Sequence, residues 1–305
     1  MNRRQLLTRL AGGLLGGVVV LPSRARAQQA DVVRLTEQLS LVTSGRTNVL
    51  ALSTPDGLVL VDSGAPDLTE RLLGSLRPLA PGGRVARAFN THWHLENTGG
   101  NESFRQNGAT IVAHANSQLW MATPVWVPAE DRYRPARPKS AHPTETFRID
   151  GSTNAGGERI DYGYLIEAHT SGDIYVFFRN SNVIAVGDVA SPVRDPELDY
   201  FTGAWIGGRV DALSKLLALC DGNTRIVPGF GPVITRVELQ IERDMMKTLY
   251  DRAVDLVRQG DDADDMLKAD VLKDLPRTLK DPRTFLYDVN KGLWAHHNKL
   301  NPNVV

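Results

Sequence analysis

Thr91-His92-Trp93-His94-Leu95-Glu96-Asn97-Thr98-Gly99-Gly100-Asn101 is the run on which the reading of this 305-residue chain turns. His92 and His94 stand one residue apart. On an extended segment, side chains at i and i+2 project to the same side, so the two imidazoles can share one cation, and imidazole nitrogen suits zinc. The flanks agree with a loop between a strand and a helix: Val85 to Phe89 is an apolar strand pattern, and Gly99-Gly100 permit a tight turn into a following helix. No glycine-rich phosphate loop accompanies the glycine pair, so phosphate binding is not read there.

The whole run resembles the signature of the metallo-β-lactamase superfamily, HxHxDH, in which the first two histidines bind one zinc and the Asp-His pair binds a second. Here Glu96 stands for the Asp and Asn97 for the last His. Further landmarks follow in the family's order. Asp62-Ser63-Gly64 closes an early strand like the family's Asp-x-Gly. Glu167-Ala168-His169-Thr170-Ser171-Gly172-Asp173 resembles the segment with the third histidine of the first site, and Val186-Gly187-Asp188-Val189 the strand end whose Asp often bridges two metals. The last landmark, a Gly-His-Gly turn, reads Gly229-Phe230-Gly231. The resemblance covers most of the chain and implies an α/β fold, the four-layer αββα sandwich, in a divergent member with a degenerate second metal site.

Three neutral nitrogens from His92, His94 and His169 compose a catalytic zinc site that leaves a fourth position for water. The cofactor this implies is one zinc per chain. Asp188 is expected as an additional ligand or as a hydrogen-bond acceptor for the attacking water. Glu96 keeps a carboxylate one methylene longer than the family's Asp, able to orient water, shuttle a proton, or reach a second ion with Asp188. Asn97 supplies no imidazole and Phe230 no donor at all, while a phenylalanine there would dry the pocket and suit an apolar substrate group. His114 is expected to be a hydrogen-bonded structural histidine, and His142 a surface one.

Residues 1–27 read as a signal peptide. Arg3 and Arg4 precede a glycine-broken apolar stretch from Leu10 to Leu21, and Ala25-Arg26-Ala27 fits a small-x-small cleavage site. The paired arginines resemble a twin-arginine leader, which predicts a periplasmic or secreted protein with no stable membrane span once the leader is removed. The leader carries five of the 35 basic residues and none of the 35 acidic ones, which leaves 30 basic against 35 acidic, a formal charge of −5. A mildly acidic surface argues against nucleic acid as a partner and leaves a small-molecule substrate; no oligomeric state is read from the sequence. The single Cys220 excludes an intrachain disulfide and reads as core-facing after the helical pattern Val210 to Leu219.

Between leader and tail, residues 28–260 are expected to form the metallo-β-lactamase-like domain, with 261–305 a helical extension packed on it. Predicted strands are Leu39 to Val42, Asn48 to Ser53, Leu58 to Val61, Val85 to Asn90, Thr110 to Ala113, Thr144 to Ile149, Tyr164 to Glu167, Ile174 to Phe178, Val183 to Val186 and Arg225 to Val227. Predicted helices are Leu68 to Leu79, Glu102 to Gln106, Val210 to Leu219, Val237 to Arg258 and Arg283 to His297. The proline-rich stretch from Met121 to Thr144 reads as an irregular lid or surface loop with Arg132, Arg134 and Arg137. The acidic cluster Asp261, Asp262, Asp264 and Asp265 suits a helix start. His296 and His297 suit a helix end rather than a metal site. Two functional classes follow: an exported metallo-hydrolase cleaving an ester, lactone, amide or lactam, or thioester, and a non-catalytic periplasmic binding or accessory protein on the same scaffold.

Overall fold

Residues 31–43, 46–79, 84–127 and 131–300 are described in a computed structural model of the protein. The leader reading therefore lies outside the described residues. The first sheet runs in the order β1 (Asp31–Arg34), β2 (Leu39–Thr43), β3 (Asn48–Thr54), β4 (Gly57–Val61), β5 (Val85–Phe89), β6 (Thr110–His114) and β9 (Glu145–Phe147). The second contains β10 (Asp150–Ala155), β11 (Glu158–Tyr164), β12 (Ile174–Phe178), β13 (Val183–Gly187) and β14 (Arg225–Pro228). A small hairpin, β7 (Val125–Val127) with β8 (Arg132–Arg134), stands apart from both.

Alternation along the strands builds the layers. Leu50, Leu52, Val59, Val61 and Phe89 point from the first sheet into a core shared with Ile174, Val176, Phe178, Val183 and Val227 of the second. Their neighbours in sequence, Val49, Ala51, Leu58 and Leu60, face the other way, against Leu72 and Leu76 of α1 (Thr69–Leu76) and Phe104 of α3 (Asn101–Gln106). On the second sheet, Tyr175, Phe177, Ile184, Val186 and Ile226 cover α5 (Ile206–Leu219) and α6 (Arg236–Gln259). A strand buried on both faces must be apolar at every position, which is why β4 and β12 read as continuous apolar runs. The result is helix, sheet, sheet, helix, the αββα sandwich.

The tail is part of that core. Met266 of α7 (Ala263–Lys268) and Phe285, Leu286, Val289 and Leu293 of α8 (Pro282–Ala295) join the α5 and α6 side chains. The acidic cluster does serve as a helix start: the Asp262 carboxylate accepts the backbone N–H groups of Asp264 and Asp265, and the Asp265 side chain returns the bond. No helix among the described residues is long and apolar enough to cross a membrane.

Four readings of local structure need correction. Of the strand expected at Tyr164 to Glu167, only Tyr164 is strand, as the last residue of β11; Leu165 to Glu167 are loop, and Glu167 has φ 52°. The β10–β11 hairpin is absent from the expected strands because its alternation is muted: β10 contains no residue more apolar than Ala155 and faces solvent at every second position. Its turn, Gly156-Gly157 with φ of 56° and 81°, is the two-residue hairpin signal that marks it. The stretch from Met121 to Thr144 includes the β7–β8 hairpin and a 3-10 turn at Lys139–Ala141. Finally, α1 stops at Leu76, and Pro78 lies in a separate 3-10 turn.

Candidate metal centre

All the site segments emerge at one end of the sandwich. β4 runs into Asp62, β5 into His92, the β11–β12 loop carries His169, β13 ends at Asp188, and β14 leads to Phe230. The two sheets are stitched there: the Ile174 N–H donates to the Thr91 carbonyl at 2.8 Å and the Asn48 N–H to the Gly229 carbonyl at 2.8 Å. Gly187, with φ 56°, must be glycine, because a Cβ would stand 2.6 Å from Thr91 Oγ1.

His92, His94 and His169 come together, each offering one ring nitrogen within 4.8 Å of the others. Every ring is held by its outer nitrogen. His92 Nδ1 lies 3.1 Å from Thr91 Oγ1, whose hydroxyl donates to Asp62 Oδ2 at 2.8 Å. His94 Nε2 lies 3.0 Å from Asp199 Oδ2, and His169 Nδ1 donates to the Glu197 carbonyl at 3.0 Å. Hydrogen bonding one imidazole nitrogen to an oxygen fixes the tautomer and presents the other nitrogen as a lone pair. The inward set is thus His92 Nε2, His94 Nδ1 and His169 Nε2.

That set fits zinc. His92 Nε2 is buried and has no hydrogen-bond partner among the described residues, a cost of about 1–3 kcal/mol for an orphaned polar group that an ion would remove. Burial, with the neighbouring His169 and His94, pushes the His92 pKa well below its ordinary value, so it stays neutral as a ligand must. His94 behaves in the opposite sense. Burial alone would lower its pKa, but the Asp199 hydrogen bond and the charges of Glu197, Asp199 and Asp188 raise it to about 9. His94 Nδ1 faces His169 Nε2 at 3.0 Å, so the two inward nitrogens stand close enough to share one ion.

Asp199 has no motif spacing to reveal it, since it sits in the irregular segment between β13 and α5. Its carboxylate is held by the Thr202 N–H and hydroxyl as well as by His94. Replacing Asp199 by Asn should weaken zinc affinity about 10–100-fold, the usual effect of losing a carboxylate behind a ligating histidine. A chelator-competition titration reads this directly, and an unchanged affinity would show that His94 needs no such support.

Asp62 is fully inside and accepts from Thr91 N–H at 2.8 Å, Thr91 Oγ1 and Asn97 Nδ2 at 2.9 Å. Burial outweighs these bonds and lifts its pKa from 3.8 to about 7. Asn97, at the position of the family's second-site histidine, is therefore turned toward Asp62. Phe230 carries the Arg194 guanidinium 3.5 Å above its ring centroid. Asp188 Oδ2 lies 4.0 Å from His169 Nε2 with the side chain 26% exposed, and a Cβ on Gly229 would stand 2.0 Å from Asp188 Oδ1. Glu96 is exposed in the first turn of α2 (Leu95–Thr98).

His114, His142 and His296 are engaged away from the metal centre. His114 caps α4 (Ala115–Met121), contacts the Arg148 carbonyl at 3.0 Å and stacks on Tyr164 at 4.0 Å. His142 is only half-exposed, with Nε2 2.9 Å from the Arg137 carbonyl, while Arg137 itself donates to Thr98 behind the histidine loop. His296 stacks on Trp205 at the end of α8. Cys220 is buried at the C-cap of α5, and burial pushes its thiol to about 11.

α8 also brings Asp288 toward Glu197 and Asp199. Burial and the charges of Glu197, Asp199 and Asp281 raise its pKa from 3.8 to about 7. A carboxyl whose folded pKa is raised costs stability as pH climbs above its unfolded value, with the full cost above about 7. Asp288→Asn should accordingly stabilise the fold by about 1–3 kcal/mol at pH 8, solvent screening allowed for, and little at pH 4. Thermal unfolding with chelator at both pH values checks it; equal shifts at both would contradict it.

The family model for the metallo-beta-lactamase superfamily matches residues 42–264. A metallo-beta-lactamase type 2 of Bacillus cereus is 25% identical over 204 residues, 66% of this chain and 73% of that protein. The metallo-beta-lactamase from Pontibacter korlensis superposes with a TM-score of 0.59 at 20% identity, over 72% of this chain and 99% of that one. The sec-alkylsulfatase Pisa1 from Pseudomonas sp. superposes with a TM-score of 0.65 at 13% identity, over 88% of this chain and 50% of that one. With the sandwich, the inward histidine set and a family match across most of its length, this chain belongs to the metallo-beta-lactamase superfamily of metal-dependent hydrolases.

Proposed function

We propose that the protein is an exported hydrolase that cleaves an acyl bond in a small substrate, an ester, lactone, amide or lactam, or thioester, with a single zinc held by His92, His94 and His169. The observation that carries this reading is the contrast between the two halves of the site. Three ring nitrogens converge, that of His92 buried without a hydrogen-bond partner among the described residues, whereas Asn97 bonds to Asp62 and Phe230 lies under Arg194.

Zinc bound there supplies Lewis acidity toward an oxygen of water or of the substrate carbonyl. The protein supplies the rest. Thr91, Asp199 and the Glu197 carbonyl keep the three imidazoles aimed inward. Asp188 Oδ2 takes the proton of the attacking water as its oxygen bonds to the acyl carbon, and returns a proton to the leaving group as the acyl bond breaks. Glu96, exposed in the first turn of α2 two residues after His94, relays protons to solvent. Export rests on the twin-arginine pattern of residues 1–27, which supports a periplasmic or secreted protein delivered folded.

Elemental analysis of protein purified from the periplasm without chelator or added metal tests the proposal, followed by a screen of ester, lactone, lactam and thioester substrates. About one zinc per chain with turnover in the screen is the expected result. Two ions per chain would replace the single-zinc reading, and a protein that stays empty on zinc addition would overturn it. Because two of the structural and sequence relatives carry the name of β-lactamase and a third that of sec-alkylsulfatase, a sec-alkyl sulfate belongs in the screen as the non-acyl control.

A further inference from the structure

We propose that the buried Arg209–Glu242 ion pair is a positioning device for the metal centre, clamping the segment 188–199 that presents Asp188, the Glu197 carbonyl and Asp199 to the histidines. The inference rests on the reading of His92, His94 and His169 as ligands.

The pair bridges α5 and α6, behind the second sheet. Arg209 is completely buried and Glu242 is 7% exposed. Guanidinium and carboxylate meet at 3.1 Å. Burying both charges costs desolvation energy that apolar residues of similar size would not incur, so such a pair is weak evidence for stability as its purpose. The cost here is not even fully offset, because Arg209 Nε is buried with no acceptor among the described residues.

What the pair does hold is the loop. Arg209 Nη2 donates to Ser191 Oγ at 2.8 Å, and Nη1 donates to the Glu197 carbonyl at 3.2 Å. Both Glu242 oxygens accept the Ser191 N–H, at 3.0 and 3.1 Å. Arg277, from the segment before α8, donates to the Ser191 carbonyl. Ser191 is three residues past Asp188, and its hydroxyl also lies 3.4 Å from the Asp188 carbonyl. All of its polar atoms are thus fixed from the helical layer.

The second anchor touches a ligand directly. The Glu197 carbonyl that takes Arg209 Nη1 is the same oxygen that takes His169 Nδ1 at 3.0 Å. Two residues on, the Asp199 N–H donates to the His169 carbonyl at 3.0 Å while its carboxylate holds His94 Nε2. A shift of the loop therefore turns both imidazoles and moves Asp188. Carbonyls and carboxylates behind metal-binding histidines typically account for 10–100-fold in affinity.

Zinc affinity by chelator competition, cobalt absorption and thermal unfolding are measured on the full-length mature protein and on the double variant Arg209→Met/Glu242→Met. The expected result is a variant as thermally stable as the parent, with zinc affinity reduced about 10–100-fold and altered cobalt bands. A folded variant whose affinity stays within about threefold, with an unchanged cobalt spectrum, overturns the proposal. If the double variant does not fold, Arg209→Lys keeps the charge beside Glu242 but cannot reach Ser191 and Glu197 together. It should lose about tenfold in affinity, and parental affinity in that variant overturns the proposal equally. A parent that binds no zinc would instead sink the ligand assignment, and the positioning role with it, so the two failures are told apart on different proteins.

Discussion

His94→Ala should abolish turnover and weaken zinc binding by at least about a hundredfold, since a complete zinc site is worth about 10–16 kcal/mol and one of its few protein ligands is removed. The fold should survive. His94 lies at the end of the sandwich with its side chain 16% exposed, and the cores between and outside the sheets do not use it. Asp199 and His169 Nε2 each lose their contact with the removed ring, while Thr202 still holds the Asp199 carboxylate. The metal-free variant also loses the proton that His94 holds with a pKa of about 9. At pH 8, zinc entering the parent displaces that proton, and zinc entering the variant does not. Calorimetry in two buffers of different ionisation enthalpy separates the cases, and turnover retained at parental zinc occupancy would remove His94 from the ligand set.

The fold was legible where burial forces a sequence to be apolar, and obscure where it does not. Strands β3, β4, β12 and β13 are covered on both faces and could be read residue by residue. The β10–β11 hairpin, exposed along one side, could be read only from Gly156-Gly157. The helical tail was legible from the acidic cluster around Asp262, a start signal set ahead of apolar helical spacing, whereas the Asp281 cap and Pro282 at the start of α8 emerge only from the structure.

The site divides along a similar line. His92 and His94 announce themselves by spacing, and His169 and Asp188 by resemblance to segments at strand ends. Their supports do not. Asp199 and Ser191 lie in an irregular segment, Glu197 acts through its carbonyl and could be any residue type, and Arg209 looks like one more helix charge until its burial is seen. Nothing in a linear pattern distinguishes an arginine facing water from one facing a loop 12 residues upstream. Asn97 is the intermediate case. Its departure from the family's histidine was visible, but its bond to Asp62 shows that the position now supports the relay through Thr91 to His92.

Asp188→Asn should lower kcat by about 10²–10⁴-fold, the range for loss of a positioned general base, with zinc content close to that of the parent. The geometry favours a proton-handling role. Asp188 Oδ2 is near the inward nitrogens, 4.0 Å from His169 Nε2, yet the three imidazoles already provide the protein ligands of a catalytic zinc site. Asp188 also remains partly open to solvent, so protons can leave and return, and Gly229 packs too closely against Oδ1 to admit a side chain between them. Asparagine preserves the shape and the contact with Gly229 while removing the basic lone pair, which separates proton transfer from packing. If Asp188 acts instead as a required metal ligand, zinc content should fall together with kcat. A pH–rate profile then discriminates further: loss of a general base removes the acidic limb, whereas loss of a ligand lowers the whole curve in proportion to occupancy. Unchanged kcat in the zinc-loaded variant would exclude Asp188 as the base and pass that role to Glu96, whose carboxylate stands exposed on the adjoining turn.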